Sequence, residues 1–461
     1  MGLISAIYNF LWGDLFVIPL GGGIGISLLV AILIPAGIYF TVRTRFLPMR
    51  CFREMLRITA ERETAGKGGG ISGVQALIVS TATRVGLGNM VGVVAAVSMG
   101  GAGAVFWMWV TALIGASTAY VEAVLAQLYK EKDPLYGGFR GGPAYYIHAF
   151  FSRGKQRRHQ LIAVLFALSG LLCWCGVSQV IGNSVSSAFQ NAFSIPPIVS
   201  TAALVLLAAV VVLRKNTSVK VLDVIVPVMA AFYFLLALFV IGKNAPLLPG
   251  VFARIFEEAF GIRQMAAGGF GAALMNGVKR GLFSNEAGSG SAPCVAAAAQ
   301  VSHPAKAGLF QAFGVIIDTI VICTCTAMIM LLAPAELLEG LSGMDLLQTA
   351  MGYHFGQIGV VFTAVTLWLF SFSTFIGILY YARSNVAYLF GDRWAAQTGY
   401  KLLALVMLFV GGLAAYTFVW DLGDIGIGLM TVFNMIAILP MSGQAIRVMK
   451  DYEQKKREGR A

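Results

Sequence analysis

"TATRVGLGNMVG", residues 81–92, interrupts an apolar run that reaches from Ile71 to Ser98. A run of that length crosses a bilayer as a helix, since about 20 apolar residues cover a hydrocarbon core of ~30 Å. Yet this one carries Arg84, Asn89 and glycines at 86, 88 and 92. A glycine in a helix interior costs roughly 1 kcal/mol relative to alanine. An arginine at the bilayer centre costs on the order of 2.5–3.5 kcal/mol even on the mild insertion scale. Residues so expensive at that depth imply a helix broken in order to hold a small ligand.

The rest of the chain supports a membrane setting. Of the 461 residues 58% are hydrophobic and 12% charged, where a soluble domain carries about 25% charge. Mean hydropathy is +0.79. The fold class implied is an all-α polytopic membrane protein. Runs of about 20 apolar residues give eleven spans: 15–42, 71–98, 103–129, 160–192, 196–213, 221–242, 262–283, 306–333, 358–390, 401–420 and 423–446. The first span is too long for a signal-peptide core, and the N-terminus has no basic n-region or small-residue cleavage site.

Charge placement orients the spans. The alternate segments 43–67, 130–158, 214–220, 279–306, 383–401 and 447–461 hold 7, 7, 3, 3, 3 and 6 lysines and arginines, 29 of the 33. The opposite set holds only Lys243, Arg254 and Arg263. The positive-inside rule then sets the N-terminus outside and the C-terminus in the cytoplasm, as an odd span count requires. The net charge of +12 is thereby a topology signal and implies no nucleic-acid partner. Six cysteines include the pairs 173/175 and 323/325. Both pairs lie in apolar spans without nearby histidines and read as small buried residues rather than metal ligands.

Setting the first span aside leaves ten, and the sixth of these has its own glycine-rich interruption, "AAGGFGAALMNG", 266–277. Gly-interrupted spans at corresponding positions of two halves mark an inverted-topology repeat with a central site between them. The organisation expected is an extra N-terminal helix and basic loop (1–70), a first five-helix repeat (71–242), a second (262–446) and a basic cytoplasmic tail (447–461). The competing use of such glycines is helix packing of the small-xxx-small kind; their paired occurrence favours broken helices.

A helix that stops at mid-membrane leaves N–H groups unpaired at one end and C=O groups at the other, tolerable only around a polar ligand or water. The N–H end suits a carboxylate and the C=O end a cation. A zwitterionic amino acid with Na⁺ satisfies both. Leu87, Gly88 and Asn89 are expected to present N–H groups to the carboxylate, and carbonyls near Ala82 and Val85 to face the ion. Gly268, Gly269, Phe270 and Gly271 are expected across from them, with Phe270 as an apolar wall. Arg84 should face a cavity near an acid, and Glu122 and Asp318 are the other charges well inside spans; gate, coupling group or structural ion pair are all open for these three. In "LFSFSTFIG", 369–377, the hydroxyls of Ser371, Ser373 and Thr374 can ligate Na⁺ or bond back to their own helix.

"GGAGAVFWMWVTALIG", 100–115, resembles the signature of the alanine/glycine:cation symporter family. So does the block "VKRGLFSNEAGSGSAPCVAAAAQVSHPAKAGLFQAFGVIIDTIVICTCTA", 278–327, and "GGFRGGPAYYI", 137–147. The resemblance runs from about residue 15 to 446. It implies a Na⁺- or proton-driven importer of alanine, glycine and similar small neutral amino acids in a prokaryotic inner membrane, with a leucine-transporter-like fold preceded by one extra helix. It aligns "VGLGN" with the first broken core helix and "GGFG" with the sixth, sets Ser373 and Thr374 among the sodium ligands of the eighth, and adds Gln179 and Asn183 from the third. Three departures stand out. Leu87 replaces a common threonine, Gln179 and Asn183 are spaced differently, and Arg383 follows Tyr380-Tyr381-Ala382 where relatives usually carry an acid. Serine or glutamine as substrate, and a proton as coupling ion, therefore stay open, as does the oligomeric state. A channel would need a continuous polar stripe that the spans lack. An enzyme would need a catalytic set. Glu286 of "SNEAG" is read instead at a cytoplasmic helix start capped by Ser284.

Overall fold

The computed structural model describes residues 2–18, 24–60, 71–72, 76, 84–152, 159–214, 222–261 and 269–460. Each of the eleven expected spans is met there by a helix. These are α2 (Leu28–Arg43), a π-helical stretch Arg84–Gly92 continuing as α4 (Val93–Gly100), α5 (Gly103–Leu128), α6 (Leu161–Phe193), α7 (Pro197–Val212), α8 (Leu222–Lys243), α10 (Gly269–Asn285), α12 (Pro304–Leu331), α14 (Gln357–Phe390), α15 (Trp394–Leu413) and α16 (Tyr416–Arg457). Six of them are long and apolar enough to cross a membrane on length and composition alone. The remainder are short, bent or broken, as helices that close around a site must be. Added to these are α1 (Gly2–Trp12), α3 (Phe52–Ala60), α9 (Leu248–Ala259), α11 (Pro293–Ala298) and α13 (Gly343–Phe355).

The first span departs from expectation. Residues 15–18 and 24–27 are strand rather than helix: β1 (Asp14–Ile18) and β2 (Ile24–Ser27) pair antiparallel, and α2 starts only at Leu28, capped by the Ser27 hydroxyl, which accepts from Val30 N at 3.2 Å. Hydropathy cannot separate a strand from a helix in so short an apolar run. The sequence between the strands, Pro-Leu-Gly-Gly-Gly at 19–23, opposes a helix by both proline and glycine cost.

α6 is the post around which the bundle packs. Glycines let its neighbours touch it backbone to backbone: a Cβ added at Gly426 of α16 would lie 2.4 Å from Cys173 Cα, and one at Gly411 of α15 2.2 Å from Gln179 Cα. The partner at Gly411 is main chain and cannot swing aside. Gly411→Val should therefore lower the thermal unfolding temperature in detergent by the equivalent of at least ~1–3 kcal/mol, the usual overpacking cost; an unchanged melt would mean that α15 and α6 are not so closely held.

The Trp-rich stretch 100–115 is tied into the interior. Glu258 of α9 accepts from Ala102 N (2.6 Å) and Gly103 N (3.3 Å) at the start of α5, filling orphan donors where a helix end favours a negative charge. Trp107 Nε1 donates to Ala259 O at 3.1 Å and Trp109 Nε1 to Thr324 Oγ1 at 2.8 Å.

Candidate functional site

The second interruption lies further along the chain than the glycine pattern suggested. α10 runs unbroken from Gly269 through the "GAALMNG" stretch to Asn285. Its glycines serve packing: a Cβ at Gly277 would meet Trp107 Cβ at 2.4 Å, and one at Gly281 Thr111 Oγ1 at 2.4 Å. The helix then stops, with left-handed φ at Glu286 (+57°), Gly288 (+97°) and Gly290 (+83°), and resumes as α11. The break falls where polar groups stand ready to replace the lost helix bonds. Asn285 Oδ1 accepts from Ala287 N (3.0 Å), Ser289 Oγ donates to Glu286 O (2.8 Å), and Glu122 of α5 accepts from Gly288 N (3.0 Å). Asn434 of α16 pairs with Glu122 and donates to Gly288 O at 3.0 Å. Glu122 is thus a support of the broken segment. "SNEAG" is part of the interrupted span, and Ser284 is a buried residue of α10 rather than the cap of a cytoplasmic helix. Lys279 and Arg280, counted above among loop charges, are also inside α10 and buried.

The π-helical stretch Arg84–Gly92 and the break after Asn285 meet. A cavity of about 30 Å³ is walled by Leu87 and Gly88 from the first, by Phe283, Glu286 and Ser291 from the second, by Cys173, Trp174 and Val177 of α6, by Thr374 and Ile378 of α14 and by Ile427 of α16. Glu286, a carboxylate on this wall, accepts from Tyr381 OH at 3.1 Å. Its left-handed backbone is uncommon for a residue with a Cβ, and such strain gathers at functional sites. Beyond the cavity, β3 (Ile71–Ser72) pairs parallel with β4 (Ala299–Gln300).

Two oxygen clusters adjoin the cavity. In the first, Asp318 is fully buried at a π-helical segment of α12, Ile316–Cys323. Its carboxylate accepts from Asn89 Nδ2 (2.8 Å), Ser284 Oγ (2.9 Å) and Thr319 Oγ1 (2.8 Å), joining both interrupted spans to α12. π-Bulges are frequent at functional sites. Asn89 Oδ1 in turn accepts from Gly86 N at 3.2 Å, so a cation at this cluster would meet oxygen from Ser284, Asp318 and Thr319. In the second cluster, Thr374 Oγ1 accepts from Leu87 N at 3.3 Å and Ser373 Oγ donates to Phe370 O at 2.8 Å. The buried Ser371 hydroxyl has no hydrogen-bond partner among the described residues.

Gly86 decides how closely these elements approach. A Cβ there would lie 2.2 Å from Thr374 Oγ1. Gly86→Ala should push the Arg84–Gly92 stretch away from α14 and lower the thermal unfolding temperature in detergent. Adding Thr374→Ala removes the 2.2 Å overlap, leaving Phe370 O at 3.3 Å and Thr374 Cβ at 3.6 Å, and should restore most of the folding stability. No loss of stability in the single variant would mean that Gly86 and Thr374 are not so closely held.

The remaining expected residues fall as follows. Leu87, Gly88 and Asn89 lie at the cavity or its edge, and Ser373 and Thr374 adjoin them. Ala82 and Gly268 lie outside the described residues, as do the side chains of Arg84 and Val85, whose backbone belongs to the π-helical stretch. Gln179 and Asn183 face α15 instead, with Gln179 Nε2 on Met407 Sδ (3.5 Å) and Asn183 Nδ2 on Ala414 O (2.7 Å). Successive residues of a helix point about 100° apart, so Trp174 and Val177 reach the cavity from the same helix while these two cannot. Gly269, Phe270 and Gly271 stand at the start of α10, where Phe270 packs edge-on against Trp107 with ring centroids 5.8 Å apart; Phe270 is not a wall of the cavity. Arg383 pairs with Asp133 (3.5 Å) and lies over the rings of Tyr136 and Tyr380.

Above Phe283 sits a buried charge cluster that sequence reading missed. Arg280 makes a two-pronged bond to Asp424 (3.0 and 2.9 Å) and lies 3.9 Å over the Trp420 ring. Lys279 also pairs with Asp424 and donates to Tyr8 of α1. Spacing alone could not bring residues 279, 280 and 424 together.

A family model described as the sodium:alanine symporter family matches residues 17–461. The chain is 43% identical over 439 residues to the probable sodium/glutamine symporter GlnT of Bacillus subtilis, covering 94% of this chain and 89% of that one. It is 32% identical over 460 residues to the sodium/alanine symporter AgcS of Methanococcus maripaludis, covering 98% and 97%. Its fold is similar to that of MhsT crystallised with L-phenylalanine (TM-score 0.53, 12% identity, 83% of this chain and 89% of that one). It is likewise similar to the Eremococcus coleocola manganese transporter (TM-score 0.53, 13% identity, 84% and 81%). At such identities these two likenesses concern the fold alone.

Proposed function

The chain belongs to the sodium:alanine symporter family, and from that membership we propose that it imports alanine or glycine across the inner membrane with Na⁺, its N-terminus outside and its C-terminus in the cytoplasm. The observation that carries the reading is the meeting of the π-helical Leu87–Gly88 stretch and the helix break after Asn285 at one small cavity beside a buried carboxylate. The N–H groups around Leu87 and Gly88 suit the substrate carboxylate, and Glu286 with Tyr381 suits its ammonium group. Ser284, Asp318 and Thr319 form one cation position; Ser373 and Thr374, with carbonyls of Ala82 and Val85, form another. Alternating access moves the five-helix halves, 71–242 and 262–446, about this centre.

Cavity size favours alanine and glycine over glutamine. About 30 Å³ is two to three times the ~10–15 Å³ that one water needs by the same measure. Glutamine is a second reading, supported by the name of the 43% identical relative. A proton as coupling ion is supported by relatives named sodium/proton-dependent alanine carriers and by the burial of Asp318. Uptake of labelled alanine into proteoliposomes, under an imposed Na⁺ gradient and then a pH gradient, tests the proposal. Accumulation above equilibrium with Na⁺ alone supports it. Equilibration under both gradients overturns it, and accumulation with protons alone transfers the coupling role to H⁺.

The walls imply a size test. Ile378→Ala removes bulk from the cavity and should admit larger side chains, with competition by serine or glutamine rising several-fold. Phe270→Ala should leave the substrate range unchanged. The reverse pattern in a competition assay would restore Phe270 as the specificity wall.

A further inference from the structure

A second concavity lies on the far side of α6. It is a groove of about 480 Å³ between α6, α15 and the end of α14, lined by Leu168, Leu172 and Cys175 on one side and by Phe390, Gly399 and Leu403 on another. Leu168, Leu172, Phe390 and Leu403 are exposed, and in membrane-spanning helices that exposure is to lipid. Its lining residues on α15 extend from Ala396 to Met407, about 16 Å at 1.5 Å per residue, close to one leaflet of a ~30 Å hydrocarbon core.

We propose that this groove binds one anionic phospholipid of the surrounding membrane, its acyl chain along α15 and its phosphate at Arg393. Two independent observations support an occupant of this kind. Gly399 sits inside α15, where glycine costs roughly 1 kcal/mol against alanine, yet a Cβ there would meet nothing of this chain within 4 Å. Every packing reason for the glycine is missing inside the protein; its absent side chain instead forms part of the groove. Between the lining residues Phe390 and Ala396 in the chain, Arg393 is exposed and its guanidinium has no ion-pair partner among the described residues. It immediately precedes the first turn of α15, whose unpaired N–H groups and positive dipole end also attract phosphate.

The groove is one helix away from the substrate cavity. Leu172 and Cys175 line the groove, while Cys173 and Trp174 line the cavity, and Tyr400 donates from the groove wall to Leu171 O at 2.8 Å. A lipid filling the groove therefore holds α6 in the position from which it closes the cavity.

Native mass spectrometry of the full chain tests this directly, after reconstitution in phosphatidylglycerol, phosphatidylcholine or an equal mixture of the two. The wild type is expected to retain one phosphatidylglycerol per chain, preferred at least tenfold over phosphatidylcholine. Gly399→Leu fills the groove with a better helix former and should keep or raise thermal stability while weakening lipid retention at least tenfold. Arg393→Gln should remove the headgroup preference and keep the acyl contact. Equal lipid retention in wild type and Gly399→Leu overturns the proposal, as does a groove occupied by a second copy of the chain, seen as a lipid-free dimer that Gly399→Leu dissociates. The lipid count needs no transport assay, so it stands or falls apart from the symport reading.

Discussion

Asp318→Asn should abolish Na⁺-driven accumulation of alanine while leaving a folded protein. The substitution keeps the shape of the side chain and removes its negative charge. Hydrogen bonds to a charged group contribute about 1.5–3 kcal/mol each, and Asp318 accepts three, from Asn89, Ser284 and Thr319. A neutral amide cannot accept at both positions, and it cannot balance a monovalent cation in a low-dielectric interior, where charge interactions are amplified. We expect the Na⁺ concentration for half-maximal alanine binding to rise at least ~100-fold, which is about 2.7 kcal/mol. Ser284→Ala removes one neutral contact and should shift it about tenfold, near 1.4 kcal/mol. Titration of alanine binding against Na⁺ in detergent, beside a thermal melt, separates ligand loss from unfolding. Unchanged Na⁺ activation in Asp318→Asn would take this cluster out of the coupling site. The Ser373–Thr374 cluster would then carry the ion alone.

The largest stability effect is expected at Asp424. This carboxylate compensates two buried cations at once, Arg280 and Lys279. Removing one partner of a buried ion pair costs on the order of 3–5 kcal/mol because the other is left uncompensated. Asp424→Ala strands both cations and should sit at or above the top of that range. Arg280→Ala leaves Lys279 to pair with Asp424 and should cost less. It also empties the space against Trp420 and Phe283, so the cavity roof should loosen and alanine should dissociate faster. Thermal unfolding ranks the variants, and the order Asp424→Ala worse than Arg280→Ala worse than Lys279→Ala is the expected result. An Asp424→Ala protein as stable as wild type would mean that water reaches the cluster and already screens it.

The course of these two predictions shows which parts of the molecule are legible in one dimension. The spans are, because a bilayer demands about 20 apolar residues in a row whatever they pack against. The first glycine-bearing stretch is legible as a distorted segment: Arg84, Asn89 and three glycines inside one apolar run coincide with a π-helical stretch, Arg84–Gly92, and residues 77–83 before it lie outside the described residues. The second interruption was misread because two glycine-bearing stretches compete for it. Glycine in "GGFGAALMNG" admits Trp107 and Thr111 to the helix surface. Glycine in "SNEAGSG" takes the positive φ of a chain reversal. Only the second stretch carries Ser, Asn and Glu able to meet stranded backbone groups, and in a membrane that polar accompaniment is the stronger sign of a break. Gln179 and Asn183 bond to α15 and to Ala414 just beyond it, a direction their polarity does not give: polarity places a residue inside the bundle but does not say which neighbour it faces.

By itself, then, the sequence determined that this chain is a multi-span membrane protein with broken helices and placed it in its family, since hydropathy, helix-breaking residues and long familial blocks act locally and need no partner. Tertiary structure alone decided where the cavity lies, that Asp318 joins Asn89 to Ser284, and that Asp424 holds Arg280 and Lys279. Those arrangements depend on directions, on which face of α6 meets which helix and how deep a side chain reaches. Direction is a property of packed backbones, and residues 34 to 229 positions apart acquire it only when the helices are assembled.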